Sequence, residues 1–215
     1  MAVIQLCGVS GNDGNDIDNY AEWVSWMVRR SRGSAQTMTE HAKGRSFSRY
    51  LLRTGLAVAA AAALGGVATD PGSSWYRRLR KPRWQPPPQT FGVVWPPLYA
   101  LIAYAGARAL ASARSDGERA ALARSFGVNL ALNAAWTPLF FRAHAPRLAL
   151  ADLAALNASN LDLLRRFGRA DRRAAAALTP YLAWTAFATA LNATIAARNP
   201  DKRRTRIPGW WRRTF

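Results

Sequence analysis

From residue 50 onward the charged side chains collect into short clusters, and the long runs between them decide what this chain can become. Residues 55–69, 84–107, 125–141 and 174–197 contain no Asp, Glu, Lys or Arg. Residues 148–164 form a further run, interrupted only by Asp152 and Asp162. A helix that crosses the hydrocarbon layer needs roughly 20 mostly apolar residues, within a range of about 17–25. The second and the last runs meet that length outright. The others meet it when flanking arginines such as Arg53, Arg124, Arg147 and Arg165 reach back toward the head groups.

The competing architecture is a soluble alanine-rich bundle. A soluble helix needs a polar face, and residues 174–197 offer only Thr, Tyr and Asn for one. No run alternates with a period of two, which excludes a membrane β-barrel. The expected fold is therefore all-α, an integral membrane bundle of five transmembrane helices. Its links, residues 70–90, 114–119, 142–147 and 165–173, are short, so consecutive helices run antiparallel. Pro96 and Pro97 are expected in the first turn of the second span, where missing amide donors cost little. Pro138 and Pro180 lie deeper and are expected to bend their helices.

Two flanking segments differ from this core. Residues 1–48 are expected to be a disordered polar N-terminal extension, because runs such as residues 11–16 are too polar to order themselves. Residues 201–215 form a basic tail that also carries Trp210, Trp211 and Phe215, the pattern of a head-group anchor. The membrane domain spans residues 49–200. The chain has 30 Lys+Arg against 12 Asp+Glu, a formal charge of +18. That balance favours anionic partners, here the lipid bilayer, and no nucleic-acid partner is expected. Lys and Arg fall almost evenly on the two sides of the bundle, so the positive-inside rule does not orient it. Cys7 is the single cysteine, which rules out an intrachain disulfide and makes a cysteine metal site implausible.

Four motifs then appear in order. Residues 75–99 read WYRRLRKPRWQPP, then FGVVWPPLY; residues 130–141 read LALNAAWTPLFF; residues 149–153 read ALADL; residues 180–192 read PYLAWTAFATALN. Together they resemble the TspO family, the tryptophan-rich sensory proteins also called translocator proteins. The resemblance implies a multi-pass membrane protein that binds porphyrins such as protoporphyrin and haem, along with other hydrophobic ligands. It implies a sensor or carrier in tetrapyrrole and stress regulation, with porphyrin degradation or ligand transport as alternatives. It implies no obligatory cofactor and no metal site; porphyrin or haem enters as ligand. The sequence departs from animal members in lacking a tyrosine after Asn192, which breaks the cholesterol-recognition pattern, and it has Leu148 where some members have Trp.

The ligand-binding set expected on this basis is Trp75, Trp84, Trp95, Tyr99, Asn133, Trp136, Asp152, Tyr181, Trp184, Phe187, Ala188 and Leu191. Spacing supports part of it: Trp95 and Tyr99 are one turn apart, and Tyr181, Trp184, Ala188 and Leu191 share a helix face. Packing or an interfacial belt explains an aromatic stripe equally well, and Trp75 and Trp84 suit a belt. Asn192 and Asp152 are polar at membrane depth; interhelical hydrogen bonding is the favoured reading for Asn192, and both readings stay open for Asp152. No nucleophile–base pair is evident, so no catalytic residues are expected. Ala123, Gly127, Ala131 and Ala135 recur every four residues, a small-residue ladder that predicts a homodimer.

Overall fold

The computed structural model describes residues 16–200. Its helices are α1 (Asp16–Ala68), α2 (Ser74–Arg78), α3 (Pro88–Ser112), α4 (Asp116–Thr137), continued by a π-helical turn (Pro138–Arg142), α5 (Pro146–Ala170) and α6 (Arg172–Arg198), with no strand among the described residues. Residue contacts divide the chain into Met1–Arg45 and Ser46–Phe215. In the first unit the helix begins at Asp16, where composition predicts disorder for residues 1–48. No proline precedes Pro71 to break it. Residues 1–15 and the basic tail, 201–215, lie outside the described residues.

The second unit is the bundle. By length and composition three segments can cross a membrane: Ser46–Ala68, Pro88–Ser112 and Arg172–Arg198. Helices α4 and α5 are of similar length, 22 and 25 residues, but more polar. They carry more charged residues and a set of inward amides: Asn129 pairs with Asn160, while Asn133, Asn157 and Asn160 reach Tyr181, Thr189 and Thr185 of α6. The main core packs Val58 of α1, Leu98 and Ile102 of α3, Leu122 and Phe126 of α4, Phe167 of α5, and Leu178 and Tyr181 of α6. A second cluster joins Phe140, Phe141, Ala149, Leu191 and Ile195.

The connections are tighter than the charge clusters imply. Residues 165–173 were expected as a link, yet only Asp171 separates α5 from α6. It stays extended (φ −158°) and reverses the chain in one step. Helix α4 starts at a Ser115 cap whose hydroxyl accepts the Glu118 N–H at 3.1 Å. Helix α3 starts with Pro88 in its first turn, so Pro96 and Pro97 lie inside the helix and not in its first turn as expected. There they leave the carbonyls four residues back without intrahelical partners. Pro138 opens the π-helical turn, which widens the end of α4.

Helix α1 docks through Thr54, whose hydroxyl donates to the Ala103 carbonyl at 2.8 Å. Gly106 makes that approach possible, because a Cβ there would lie 3.0 Å from both Phe126 and Thr54.

Asp171 also ties α3 to the α5–α6 turn. The Arg108 Nε donates to its Oδ2 at 2.8 Å, and the Arg173 N–H donates to its Oδ1 at 2.8 Å. Burial alone raises this carboxyl's pKa, but the Arg173 N–H and the Arg108 guanidinium outweigh it and hold the pKa below its ordinary value. A carboxylate lowered in the folded state contributes stability above its unfolded pKa of about 3.9 and loses it as pH falls through the folded value. Thermal unfolding in detergent should therefore show stability dropping as pH is taken below about 4. Asp171→Asn should be less stable at neutral pH and should flatten that drop. An acid profile unchanged by the substitution would show that another carboxylate governs it.

Candidate functional site

A cavity of about 550 Å³ lies inside the bundle, within the range of about 300–1,000 Å³ common for small-molecule sites. Every helix of the bundle contributes to it, and the reason is local in each case. On α1, Ala62, Gly65 and Gly66 leave space by being small. On α3, Phe91, Trp95 and Tyr99 follow i, i+4, i+8 spacing and form one wall. On α4, Asn133, Trp136 and Thr137 face inward, and the π-helical turn adds Phe140 and Phe141. Leu153 and Leu156 close the α5 side, and Trp184, Thr185, Ala188, Leu191, Asn192 and Ile195 form the α6 face.

The rings are arranged against one another rather than scattered. Trp95 stacks on Tyr99 with centroids 5.0 Å apart and an interplanar angle of 25°. It meets Trp184 edge to face at 6.5 Å and 86°. Phe91 meets the same Trp184 at 5.7 Å and 67°. On the opposite wall Trp136 stacks on Phe140 at 5.1 Å and 21°. Offset and edge-to-face contacts of this kind add about 0.5–1.5 kcal/mol each beyond burial, so both walls are stiff.

The loop between α1 and α3 covers the cavity and contributes Pro71, Tyr76 and Gln85 to its lining, and Pro88 at the start of α3 adjoins them. It folds locally because the Ser73 hydroxyl accepts the Tyr76 N–H at 3.2 Å and so caps α2. Gln85 Nε2 donates to the Tyr76 hydroxyl at 3.0 Å. Burial raises the Tyr76 phenol, against the lowering effect of the Gln85 hydrogen bond. Lys81 places its ammonium 3.7 Å from the Tyr76 ring centroid, and burial lowers its pKa. The loop is also fastened to the end of α6. Asn199 Oδ1 accepts the Arg80 N–H at 3.0 Å and its Nδ2 donates to the Arg80 carbonyl at 3.1 Å. Arg198 Nη1 donates to the Lys81 carbonyl at 3.1 Å.

Of the residues expected from sequence, Trp95, Tyr99, Asn133, Trp136, Trp184, Ala188 and Leu191 line this one cavity. Five stand outside the lining. Trp75 stacks on His144 at 4.5 Å, and Trp84 is 48% exposed with its edge against Phe187 at 5.8 Å. Phe187 sits between Trp84 and Trp184, behind the wall. Tyr181 is buried one turn below Trp184 and acts on the cavity through Asn133, whose Nδ2 donates to the Tyr181 hydroxyl at 3.0 Å. Asp152 is partly buried on α5, and its Oδ2 is buried without a hydrogen-bond partner among the described residues. Asn192 makes the interhelical bond expected of it, donating to the Pro146 carbonyl at 2.7 Å, and lines the cavity as well. Sequence reasoning missed Phe91, Tyr76, Gln85, Phe140 and Phe141. Phe91, Phe140 and Phe141 were visible as parts of the quoted motifs, but only the bundle shows which way they face.

Among the described residues the lining has no His, Cys, Met, Asp, Glu, Lys or Arg. It offers aromatic faces and a few neutral hydrogen-bonding groups, which suits binding of a flat apolar molecule and provides no acid–base pair.

Residues 54–198 match the TspO/MBR family. The tryptophan-rich protein TspO of Chlorobaculum tepidum is 33% identical over 146 residues, covering 68% of this chain and 92% of that protein. The tryptophan-rich sensory protein of Cereibacter sphaeroides is 35% identical over 142 residues, covering 66% and 87%. The translocator protein of Sus scrofa is 35% identical over 138 residues, covering 64% and 82%.

The Tyr181 hydroxyl is what holds the Asn133 amide at the cavity wall. Tyr181→Phe leaves that buried donor unpaired and should lower unfolding stability by about 1–3 kcal/mol. The double variant Tyr181→Phe with Asn133→Leu should cost less than the sum of the two single changes, as expected for coupled partners. Additive losses would mean that the two side chains do not depend on each other.

Proposed function

The chain belongs to the TspO/MBR family of membrane proteins, and on that premise we propose that its cavity binds porphyrins and other flat hydrophobic ligands. In this reading the protein acts as a sensor or carrier in tetrapyrrole and stress regulation. The observation that carries the reading is the aromatic-walled cavity of about 550 Å³ inside the helices, covered by a proline-stiffened loop. Pro82, Pro86 and Pro87 restrict that loop before a ligand arrives, so closing over it loses little entropy. The cavity is uncharged, so the propionates of a porphyrin belong at its mouth, near the exposed Arg77, Arg80 and Arg83 of the loop.

The same reading has five spans: α1 from Ser46, α3, α4 with its π-helical turn, α5 and α6. Large apolar side chains exposed on α1 (Leu52, Leu56, Leu64), α3 (Val93), α4 (Val128) and α5 (Leu148, Leu161) support a lipid-facing surface. The amides Asn129, Asn157 and Asn160 of α4 and α5 face inward and are paired there.

Haem proteins usually hold iron through His, Cys, Met or Tyr. Among the described residues only Tyr76 and Tyr99 of these types line the cavity, so affinity comes from stacking and burial. Absorbance titration should find iron-free protoporphyrin bound about as tightly as haem, with quenching of tryptophan fluorescence. Trp184→Ala should weaken both by about 1–3 kcal/mol, the scale of a lost aromatic stacking contact. Haem bound far more tightly than the iron-free ring, with a bis-histidine spectrum, would overturn this account of the site.

We also propose a homodimer through α4. Ala123, Gly127 and Ala131 are exposed on the bundle surface, and a Cβ at Gly127 would meet nothing within 4 Å. Such a surface lets a second backbone approach closely. Gly127→Cys protein should give a disulfide-linked dimer in membranes. A dimer trapped only through cysteines on another helix would refute the α4 interface.

A further inference from the structure

The cavity is not covered equally on all sides. Among its lining residues, Gly66 of α1, Thr69 just after it, Pro71 of the loop, and Pro88, Gly92 and Pro96 of α3 are exposed. The lining residues of α4, its π-helical turn, α5 and α6 border the same space, yet each is buried or half-buried. The exposure on the α1–α3 side is therefore exposure to the outside, and the cavity opens there. Register explains why. Thr54 meets Ala103, while the end of α1 and the start of α3 both line the cavity, so the two helices run antiparallel. Both rise about 1.5 Å per residue, which brings Gly66 level with Gly92 and Ala62 level with Pro96. No large side chain stands at these levels to bridge the seam, and a Cβ at Gly66 or Gly92 would meet nothing within 4 Å. At the other end the helices press together, where a Cβ at Gly106 would lie 3.0 Å from Thr54.

We propose that this seam is a lateral portal to the hydrocarbon layer: a lipid acyl chain occupies the cavity until a ligand entering from the bilayer displaces it. The proposal rests on the reading of the bundle as membrane-spanning and of its cavity as a ligand site. The chemistry of the seam fits acyl chains. Residues 55–69 and 84–107 contain no charged side chain, and the exposed side chains beside the opening include Leu64 and Val67 of α1 and Val93 of α3. Exposed apolar surface of this kind around an uncharged opening marks contact with lipid and not with water. The alternative path, beneath the covering loop, is fastened. Entry there breaks the Asn199 bonds to the Arg80 backbone and the Arg198 bond to the Lys81 carbonyl. No hydrogen bond among the described residues crosses the seam between residues 62–69 and 88–99. A flat apolar ligand already dissolved in the bilayer thus reaches the aromatic walls without unfastening the loop.

The test uses the full chain in lipid nanodiscs, with protoporphyrin as the ligand. Stopped-flow quenching of tryptophan fluorescence gives its association and dissociation rates. Gly66→Leu and Gly92→Leu each place a side chain in the seam, and leucine favours a helix over glycine. Each should slow association and dissociation together by about ten-fold and leave the affinity within about two-fold, the mark of an obstructed path and not of a lost contact. A second measurement needs no substitution, so it stands even if a variant folds poorly. A phosphatidylcholine with a diazirine at the end of one acyl chain stays in the bilayer. On irradiation it reaches inner lining residues such as Leu156 and Trp184 only through a lateral opening. Those adducts should form, and protoporphyrin should suppress them. Unchanged rates in both variants, faster dissociation alone, or adducts confined to outer residues such as Leu64 and Val93 would overturn the portal. Saturable quenching of the wild-type protein would in that case still leave the cavity a ligand site. No saturable quenching would overturn the ligand reading, while adducts on the inner lining would even then uphold the opening to lipid.

Discussion

In an apolar interior a polar side chain either finds a partner on another helix or costs the fold dearly, and the amide–hydroxyl network of α4, α5 and α6 meets that constraint here. Asn129 Nδ2 donates to Asn160 Oδ1 at 2.6 Å, and Asn160 Nδ2 donates to the Thr185 hydroxyl at 2.9 Å. Thr185 in turn donates to Asn157 Oδ1 at 2.9 Å, and Asn157 Nδ2 donates to the Thr189 hydroxyl at 2.8 Å. Each such bond contributes modestly, about 0.6 kcal/mol on average where measured in a membrane bundle. Breaking one costs more, because it leaves a buried group unpaired. The network therefore fixes the register of three helices more firmly than apolar packing alone, since alanine- and leucine-rich faces tolerate sliding.

That register is what gives the cavity its walls. Asn133 reaches the lining because Tyr181 holds it, and Tyr181 also donates to Asn129 Oδ1 at 3.5 Å, which joins the cavity wall to the network. Thr185 belongs to both the network and the lining. On the other side the small residues of α1 keep the space open, and the π-helical turn after Pro138 turns Phe140 and Phe141 into it. The covering loop does not depend on the network. Its hold on the end of α6 is through the paired bonds of Asn199 with the Arg80 backbone, so its position and the shape of the cavity are set by separate interactions.

The helical class, the approximate helix positions and the family resemblance were legible in the sequence, because charge-free runs of span length and ordered motifs are one-dimensional signals. Seven of the expected site residues reached the cavity for the same reason: periodicity places Trp184, Ala188 and Leu191 on one face whatever the helix packs against. Where the helices begin and end was less legible. Charge clusters suggested a link at residues 165–173, but arginines are good helix formers and only Asp171 breaks the chain there. The start of α3 was placed too late, because a proline run reads as loop while Pro88 is well suited to a first helical turn.

What the sequence alone determined is thus the kind of structure: long apolar helices, antiparallel by short links, with aromatic stripes on particular faces. What only the tertiary structure decided is which polar and aromatic groups meet. Trp75 and Phe187 stand behind or beside the cavity, Tyr181 beneath its wall, and Phe91, Gln85, Phe140 and Asn192 within its lining. A helix face spans a wide arc, and the rotation of each helix about its axis is set by hydrogen bonds to residues dozens of positions away. The pairing of Asn129 with Asn160 and of Asn133 with Tyr181 lies between helices, and no local pattern records it.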